Sequence, residues 1–258
     1  EFLDSEDQEL QGQSLTLNES TGQYTWNARA EHRIGYYLSA GDLDGDGRCD
    51  LVASSYSTRG FADVNDTGEV QIFKGMDTFG DPPLNGPDGG LTLLPVQVIT
   101  KSATDANGAR IGWRTAIADR DGDGHAELFV SQPRSHINAN DAGAIFIYEF
   151  ESLPATPASN YSSTADAVET LAGDTRSEYF GYSLSLGDFD GDGDQDLAVG
   201  AYNDEVEGSP SNVGTLRVFL FDEISQSYES EPAYTMSGLL GSDNFGEAVV
   251  ILALDQVA

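Results

Sequence analysis

Three acidic segments of the chain share one nine-residue pattern, with carboxylates at positions 1, 3, 5 and 9 and glycine at positions 4 and 6. Carboxylates this close together repel one another unless a cation neutralises them. Oxygen ligands in a flexible, glycine-rich loop favour Ca²⁺ over a transition metal. The segments are residues 42–50, 119–127 and 188–196. The sequence therefore predicts about three calcium sites.

The same positions supply the candidate ligands in each loop. Carboxylates at positions 1, 3 and 5 can turn inward, position 7 can offer its backbone carbonyl oxygen, and position 9 closes the site. The candidates are Asp42, Asp44, Asp46, Arg48 and Asp50 in the first loop, Asp119, Asp121, Asp123, His125 and Glu127 in the second, and Asp188, Asp190, Asp192, Asp194 and Asp196 in the third.

The residues after each loop distinguish it from an EF-hand, which needs a glutamate at position 12 and a following helix. Position 12 here is Ala53, Val130 or Val199, within a short apolar run that predicts a buried strand. Apolar runs also precede each loop, so each site is predicted to be the turn of a β-hairpin. Turns made by Asp-Gly pairs without a cation are the alternative, and three copies in register argue against it.

The acidic loops lie within a longer repeat of roughly 65 to 77 residues. An apolar residue followed by glycine precedes each loop, at 34–35, 111–112 and 180–181, and recurs at 245–246. A glycine-led apolar strand and then a fourth strand follow each loop. Four antiparallel strands per unit are typical of a propeller blade. We therefore predict an all-β fold, a β-propeller of four-stranded antiparallel blades.

The third unit, residues 180–201, resembles an FG-GAP repeat, the blade of integrin α-subunit propellers and of many bacterial surface and secreted proteins. The resemblance covers roughly residues 33–254, with isoleucine replacing the phenylalanine in the first two copies. In that family the acidic hairpin loop binds Ca²⁺, which the resemblance implies here too. It also implies an extracellular binding or adhesion scaffold. The partner would be a protein, as for integrins, or a glycan, as for propeller lectins of this repeat type.

The repeat divides the chain into three whole blades and two partial ones. The predicted boundaries are an outer hairpin over 1–32, blades over 33–102, 103–172 and 173–240, and the inner strand of a further blade over 241–258. The ends are complementary, which is consistent with a closed four-bladed ring and equally with a piece of a larger propeller. A further alternative is a self-assembling structural subunit whose open blade edges pair between copies.

The composition narrows the function classes. A net charge of −32, from 44 acidic and 12 basic residues, disfavours binding to nucleic acid or to anionic membranes. The sequence contains no run of 18 apolar residues, so it predicts no insertion into a membrane. The millimolar Ca²⁺ concentration outside cells suits loop sites of this kind. We therefore predict a secreted or cell-surface protein.

No catalytic constellation is visible in the sequence. The three histidines share no spacing, and nucleophile, zinc and phosphate-loop motifs are absent. Abundant carboxylates could serve glycoside hydrolysis, but the clustered ones are accounted for as calcium ligands. We predict that the chain has no catalytic activity of its own.

Aromatic residues recur just after the leading glycine of each blade, at Tyr36, Trp113 and Tyr182. They would either contact a ligand at one mouth of the propeller channel or pack between adjacent blades. The first alternative makes these three residues candidate ligand contacts.

Overall fold

The computed structural model describes residues 34–56, 67–75, 95–102, 108–154, 161–206, 208 and 212–251, together with the backbone of two strands, β1 (Gln13–Asn18) and β2 (Gln23–Ala28). β1 and β2 pair in an antiparallel hairpin. Within the described ranges the only helix is η1 (Thr164–Asp166), a single 3₁₀ turn. No helix there has the length and apolar character that crossing a membrane requires.

Three antiparallel four-stranded arrays form the body of the structure. In chain order, the strands are β3 (Tyr37–Gly41), β4 (Asp50–Ser55), β5 (Glu69–Phe73), β6 (Gln97–Thr100), β7 (Thr115–Ala118), β8 (Glu127–Gln132), β9 (Ala144–Tyr148), β10 (Tyr161–Ser163), β11 (Glu169–Ala172), β12 (Ser183–Gly187), β13 (Asp196–Ala201), β14 (Thr215–Phe219), β15 (Phe221–Asp222), β16 (Ser227–Tyr228) and β17 (Tyr234–Ser237).

Each array has the strand order expected of a blade. The first blade is β3-β4-β5-β6, the second β7-β8-β9-β11 and the third β12-β13-β14-β17. The prediction of an all-β fold with four-stranded antiparallel blades is confirmed. The fourth strand predicted in each unit is β6 in the first blade, β11 in the second and β17 in the third.

Two additions to this plan escaped the sequence analysis. β10 lies in the connection between β9 and β11 and pairs in parallel with β6, so the first sheet has five strands. β15 and β16 form a separate short hairpin between β14 and β17. Both lie inside connections between blade strands, where three-residue and two-residue strands have no detectable periodicity.

The apolar core lies between adjacent blades, and the second blade contributes to both of its halves. Leu128 and Val130 of β8 pack with Ile72 and Ile99 of the first blade. The intervening residue, Phe129, packs with the third blade. Because side chains alternate across a strand, a central strand buried on both faces has apolar side chains at successive positions, as at 128–130 of β8. β8 and β13 accordingly have every residue buried.

A repeated backbone contact joins each blade to the next. The amide of Ile111 donates to the carbonyl of Thr67 at 2.9 Å, and the amide of Phe180 donates to Ala142 at 2.8 Å. Phe245 and Val213 repeat the contact at 3.2 Å. The residue after each acceptor is a glycine with positive φ, and a Cβ there would lie within 2.2 Å of the neighbouring blade's backbone. Only glycine allows that approach.

The segment from 245 to 251 departs from the predicted inner strand. Its backbone forms turns rather than a strand over the described residues, and 252–258 lie outside them. The segment nevertheless lies beside β12, where the amide of Ile251 donates to Ser185 Oγ at 2.9 Å. Ile251 also faces Gly187 as Ile117 faces Gly41 between the first two blades. The position is that of a next inner strand, and no strand among the described residues pairs with it.

Candidate functional site

Each acidic loop is the turn of a β-hairpin at the end of an inner strand. The loops join β3 to β4, β7 to β8 and β12 to β13, all antiparallel pairs. The residue at position 9 pairs with the residue just before position 1, as Gly41 does with Asp50 and Gly187 with Asp196. The register therefore closes each loop at its two ends and gathers the intervening carboxylates.

Three carboxylates of each loop converge closely enough to share one ion. One oxygen from each lies within 4.8 Å of the other two in every set. The sets are Asp42, Asp44 and Asp50 in the first loop, Asp119, Asp121 and Asp123 in the second, and Asp188, Asp190 and Asp196 in the third. Of the fifteen residues that the sequence singled out, these nine are brought together.

The remaining six candidates have other contacts. In the first loop Asp46 pairs with Arg48 at 2.9 Å. The main-chain amides of Arg48, His125 and Asp194, all at position 7, donate to the carboxylate at position 5, which is Asp46, Asp123 or Asp192. Position 7 is thereby held against position 5 in every loop, which leaves its carbonyl oxygen as the group that could serve a metal.

Position 9 holds the loop to its own strand. Its carboxylate accepts a hydrogen bond from the amide at position 2: Leu43 to Asp50 at 2.9 Å, Arg120 to Glu127 at 2.9 Å, and Phe189 to Asp196 at 2.7 Å. In the first and third loops the other oxygen accepts an amide from just beyond the third strand, from Gly75 and Phe221. This carboxylate is buried in all three loops.

Burial makes the negative charge at position 9 unfavourable. It raises the pKa of Asp50 and of Asp196, and it raises the pKa of Glu127 to about 7. In contrast, hydrogen bonds from Arg48 and then Lys74 lower the pKa of Asp46 to about 2. The loops thus contain buried carboxylates that a cation would stabilise in their ionised form.

The first loop contains the clearest polar atom without a partner. Asp44 is 8% exposed, and its Oδ2 accepts hydrogen bonds from Lys74 Nζ and from the amide of Leu153, the latter at 2.8 Å. Its Oδ1 is buried and has no hydrogen-bond partner. A buried carboxylate oxygen without a partner is unusual and calls for a ligand. The donor set around it, three carboxylates, fits Ca²⁺.

Opposite the loops, at the other end of the inner strands, the three predicted aromatic residues come together. The ring centroid of Trp113 lies 5.4 Å from that of Tyr36 and 5.0 Å from that of Tyr182. The indole Nε1 of Trp113 donates to the carbonyl of Tyr182 at 3.0 Å. The cluster bridges all three blades, so the packing alternative is realised, while Tyr36 stays 41% exposed.

The other members of this aromatic cluster were not predicted from the sequence. Tyr56 packs on Tyr36 and Trp113, and Tyr202 packs on Tyr182 and Tyr179. Tyr56 and Tyr202 occupy the same repeat position, just after the second strand of the blade. In the first blade Tyr37 lies opposite Ser54 in the hairpin. This register brings Tyr56, just after the second strand, next to Tyr36, just after the leading glycine. Combining the two repeat positions would have found both tyrosines.

The repeated hairpins and the three interlocked sheets define propeller blades of the FG-GAP class. The FG-GAP repeat profile matches residues 180–219, which is the third blade from its leading phenylalanine to the end of β14. The chain belongs to the FG-GAP repeat, integrin-α-like family.

Individual relatives support that assignment. Integrin alpha-PS5 of Drosophila melanogaster is 32% identical over 172 residues, which are 65% of this chain and 15% of the relative. Integrin alpha-PS3 of the same organism is 30% identical over 178 residues, 67% of this chain and 14% of the relative. Phosphatidylinositol-glycan-specific phospholipase D of Rattus norvegicus is 38% identical over 94 residues, 36% of this chain and 11% of the relative. The chain thus spans less than a fifth of the length of each.

Proposed function

We propose that the chain is a calcium-stabilised, extracellular binding or adhesion scaffold without catalytic activity of its own. Relatives named as integrin α-subunits support the adhesion role and, with it, a protein partner. Two relatives have the name of a phosphatidylinositol-glycan-specific phospholipase D, but the matches cover only 11% and 19% of those relatives. Fold-level similarity alone does not transfer an activity.

The observation that carries the calcium proposal is the convergence of three carboxylates in each of three loops, with a buried Asp44 oxygen that has no partner. The proposed ligands are the carboxylates at positions 1, 3, 5 and 9 and the carbonyl at position 7. Bound Ca²⁺ would supply positive charge that neutralises the loop carboxylates. The chain's own contribution is the hairpin register and the amide hydrogen bonds that hold those carboxylates together.

Calcium dependence of stability tests this proposal. Each site held at 100 times its Kd adds about 2.7 kcal/mol to the free energy of unfolding. For a chain of this size that is roughly 5–11 °C in melting temperature per site. We expect EGTA to lower the melting temperature by at least this much relative to millimolar Ca²⁺, and equal Mg²⁺ to restore little of it. Identical melting curves in EGTA and Ca²⁺ would overturn the proposal.

The partner is tested separately on calcium-loaded protein. Capture of a cell-surface protein is expected from the integrin relatives, and glycan binding is the second candidate. The observation favouring the glycan is an aromatic cavity with an arginine, described below. Self-association through blade edges stays a prediction, which sedimentation velocity at several protein concentrations would test directly.

A further inference from the structure

A small cavity lies between the second and third blades, at the end of the inner strands away from the acidic loops. Its volume is about 220 Å³. The lining residues are Arg110, Trp113, Pro133 and Arg134 of the second blade and Tyr179, Tyr182 and Tyr202 of the third. Four of the seven are aromatic and two are arginine, whereas none is acidic. In a chain of net charge −32 with only 12 basic residues, this composition stands out.

The aromatic walls are fixed in position. Tyr179 and Tyr202 stack with an interplanar angle of 10° and a centroid separation of 5.4 Å. Tyr202 also packs on Tyr182, which in turn packs on Trp113. The indole of Trp113 is oriented by its hydrogen bond to the carbonyl of Tyr182. Rigid aromatic faces around a small cavity suit a ring with apolar C–H faces, at little entropic cost on binding.

The guanidinium of Arg110 has unused hydrogen-bonding capacity. Its Nε is buried and without a hydrogen-bond partner, and no ion pair joins this side chain to a carboxylate in the described part of the chain. Its contacts are with rings: the guanidinium carbon lies 5.8 Å from the centroid of Tyr56 and 5.9 Å from that of Trp113. Arg134, in contrast, pairs with Asp141 at 3.0 Å. A buried arginine nitrogen without a partner points to a missing acceptor.

Backbone conformation gives an independent indication that the side chains matter here. The residue before the leading apolar-glycine pair has a left-handed backbone in three copies of the repeat: Arg110 at φ 61°, Tyr179 at φ 57° and Asn244 at φ 52°. Asparagine is the natural choice among these, because bulky residues are disfavoured in that region. The two copies that line the cavity instead have arginine and tyrosine. Strain retained at such positions is typical of functional sites.

We propose that this cavity binds a carboxylate-bearing sugar unit, of the uronic acid type, within a glycan. The sugar ring would lie against Trp113 and the tyrosines, and its carboxylate would accept hydrogen bonds from Arg110. The inference rests on the proposed binding function and names a ligand class for it. The volume of about 220 Å³ is below the range of 300–1,000 Å³ for larger ligands, so one ring enters the cavity and the rest of the glycan stays outside.

The hydroxyl and charged groups near the cavity differ in whether they favour or oppose the binding of an anionic sugar. Burial is the main cause that raises the pKa of both Tyr182 and Tyr202, and the negative charge of Glu247 raises both further. Both hydroxyls therefore stay protonated at neutral pH and can donate hydrogen bonds to the sugar. Glu247 is exposed, and its charge opposes an anionic ligand. Arg114 contributes positive charge nearby, with its guanidinium carbon 5.4 Å from the Trp113 ring.

The test compares two matched probes on calcium-loaded protein: methyl β-glucuronide and methyl β-glucoside, which differ only in the carboxylate. Binding is followed by NMR shift perturbation, with the indole N–H of Trp113 as the local reporter. We expect the glucuronide to bind at least tenfold more tightly than the glucoside. Arg110→Asn should lose at least tenfold in glucuronide affinity and nothing in melting temperature, since asparagine suits the left-handed backbone. Glu247→Gln should gain affinity severalfold.

Arg176→Asn removes the same charge from an exposed residue that does not line the cavity, and it should leave glucuronide affinity unchanged. Equal binding of the two glycosides, full affinity in Arg110→Asn, or no glucuronide binding would each overturn the inference. So would tighter binding of a glutamate-rich peptide than of the glucuronide. In all these cases a calcium-dependent melting temperature would leave the proposed scaffold function standing.

Discussion

Replacing Lys74 by methionine should lower the stability of the calcium-free chain and raise the affinity of the first acidic loop for Ca²⁺. Lys74 Nζ forms an ion pair with Asp44 and a second with Asp46 at 3.0 Å. Its side chain is 18% exposed, and that of Asp44 is 2% exposed. The ammonium therefore occupies the neighbourhood in which a calcium ion would lie. In the calcium-free chain it is a stabilising counter-charge, whereas for an incoming Ca²⁺ it is a like charge.

The two effects have similar magnitudes and opposite signs. Without Ca²⁺, Lys74→Met leaves Asp44 buried beside other carboxylates, and we expect a loss of about 1–2 kcal/mol in unfolding free energy, reduced from the value for a fully buried pair by the partial exposure of the lysine. With Ca²⁺, the variant removes a single charge about 5 Å from a doubly charged ion. At the dielectric constant of water this is worth about 1.7 kcal/mol, or roughly 17-fold in affinity.

The assay isolates the first loop by placing Lys74→Met in a background with Asp121→Ala and Asp190→Ala. Isothermal titration with Ca²⁺ then reports one site, and urea unfolding in EGTA reports the stability of the calcium-free chain. Lys101→Met is the matched control, since Lys101 is the only other lysine in the sequence. Calcium affinity that is unchanged or weaker in the Lys74 variant would refute this account of the first loop.

Two further predictions concern the third loop and the packing between blades. Asp190→Ala removes a carboxylate from the third cluster, so calorimetric Ca²⁺ stoichiometry should fall from three to two while circular dichroism shows intact strands; three ions bound by the variant would contradict the ligand assignment. Gly41→Ala would bring a Cβ within 2.4 Å of Ile117 Cγ2, and we expect a loss of about 1–3 kcal/mol in urea unfolding that a second change, Ile117→Ala, partly relieves. A Gly41 variant as stable as the parent would show that the blades are not in close contact there.

The central strands were predictable because a strand buried on both faces has a short apolar run in the sequence. β8 and β13 lie between two blades, are buried along their whole length, and read as short apolar runs. The acidic turns between the first two strands of each blade then fix the hairpins. β10 was not predictable, because Tyr161–Ser163 has no apolar pattern and pairs with β6, about sixty residues earlier in the chain. Its placement depends on where the long connection after β9 runs.

The acidic loops and the cavity differed in how much the sequence revealed. Carboxylate crowding is a local property, so spacing alone identified the loops. The cavity depends on residues that the hairpin register and the blade interface bring together, as with Tyr202 and Trp113. The left-handed backbone of Arg110 recurs at the equivalent positions Tyr179 and Asn244, but these three copies share no residue type that would have indicated it. Such sites become visible only when the strands are paired.

Contacts between neighbouring loops bear on whether the three proposed calcium sites act independently. The amide at position 8 of the second loop, Ala126, donates to the carbonyl of Asp42 at 3.1 Å. The equivalent amide of the third loop, Gln195, donates to the carbonyl of Arg120 at 3.3 Å. The loops are thus joined in one row by backbone hydrogen bonds. An ion that orders one loop therefore also restricts the backbone of the next.

Electrostatics acts along the same row in the opposite direction. Burial raises the pKa of Asp194 in the third loop, and so do neighbouring carboxylates that include Asp121 of the second loop. Ca²⁺ bound in either loop makes the potential at the other less negative, so it weakens the attraction for a second ion. Ordering therefore favours positive coupling between adjacent sites, whereas charge opposes it. The blades can fold as separate units of a repeat while their calcium sites fill in a coupled manner, because the interblade cores and the row of loops are different sets of contacts.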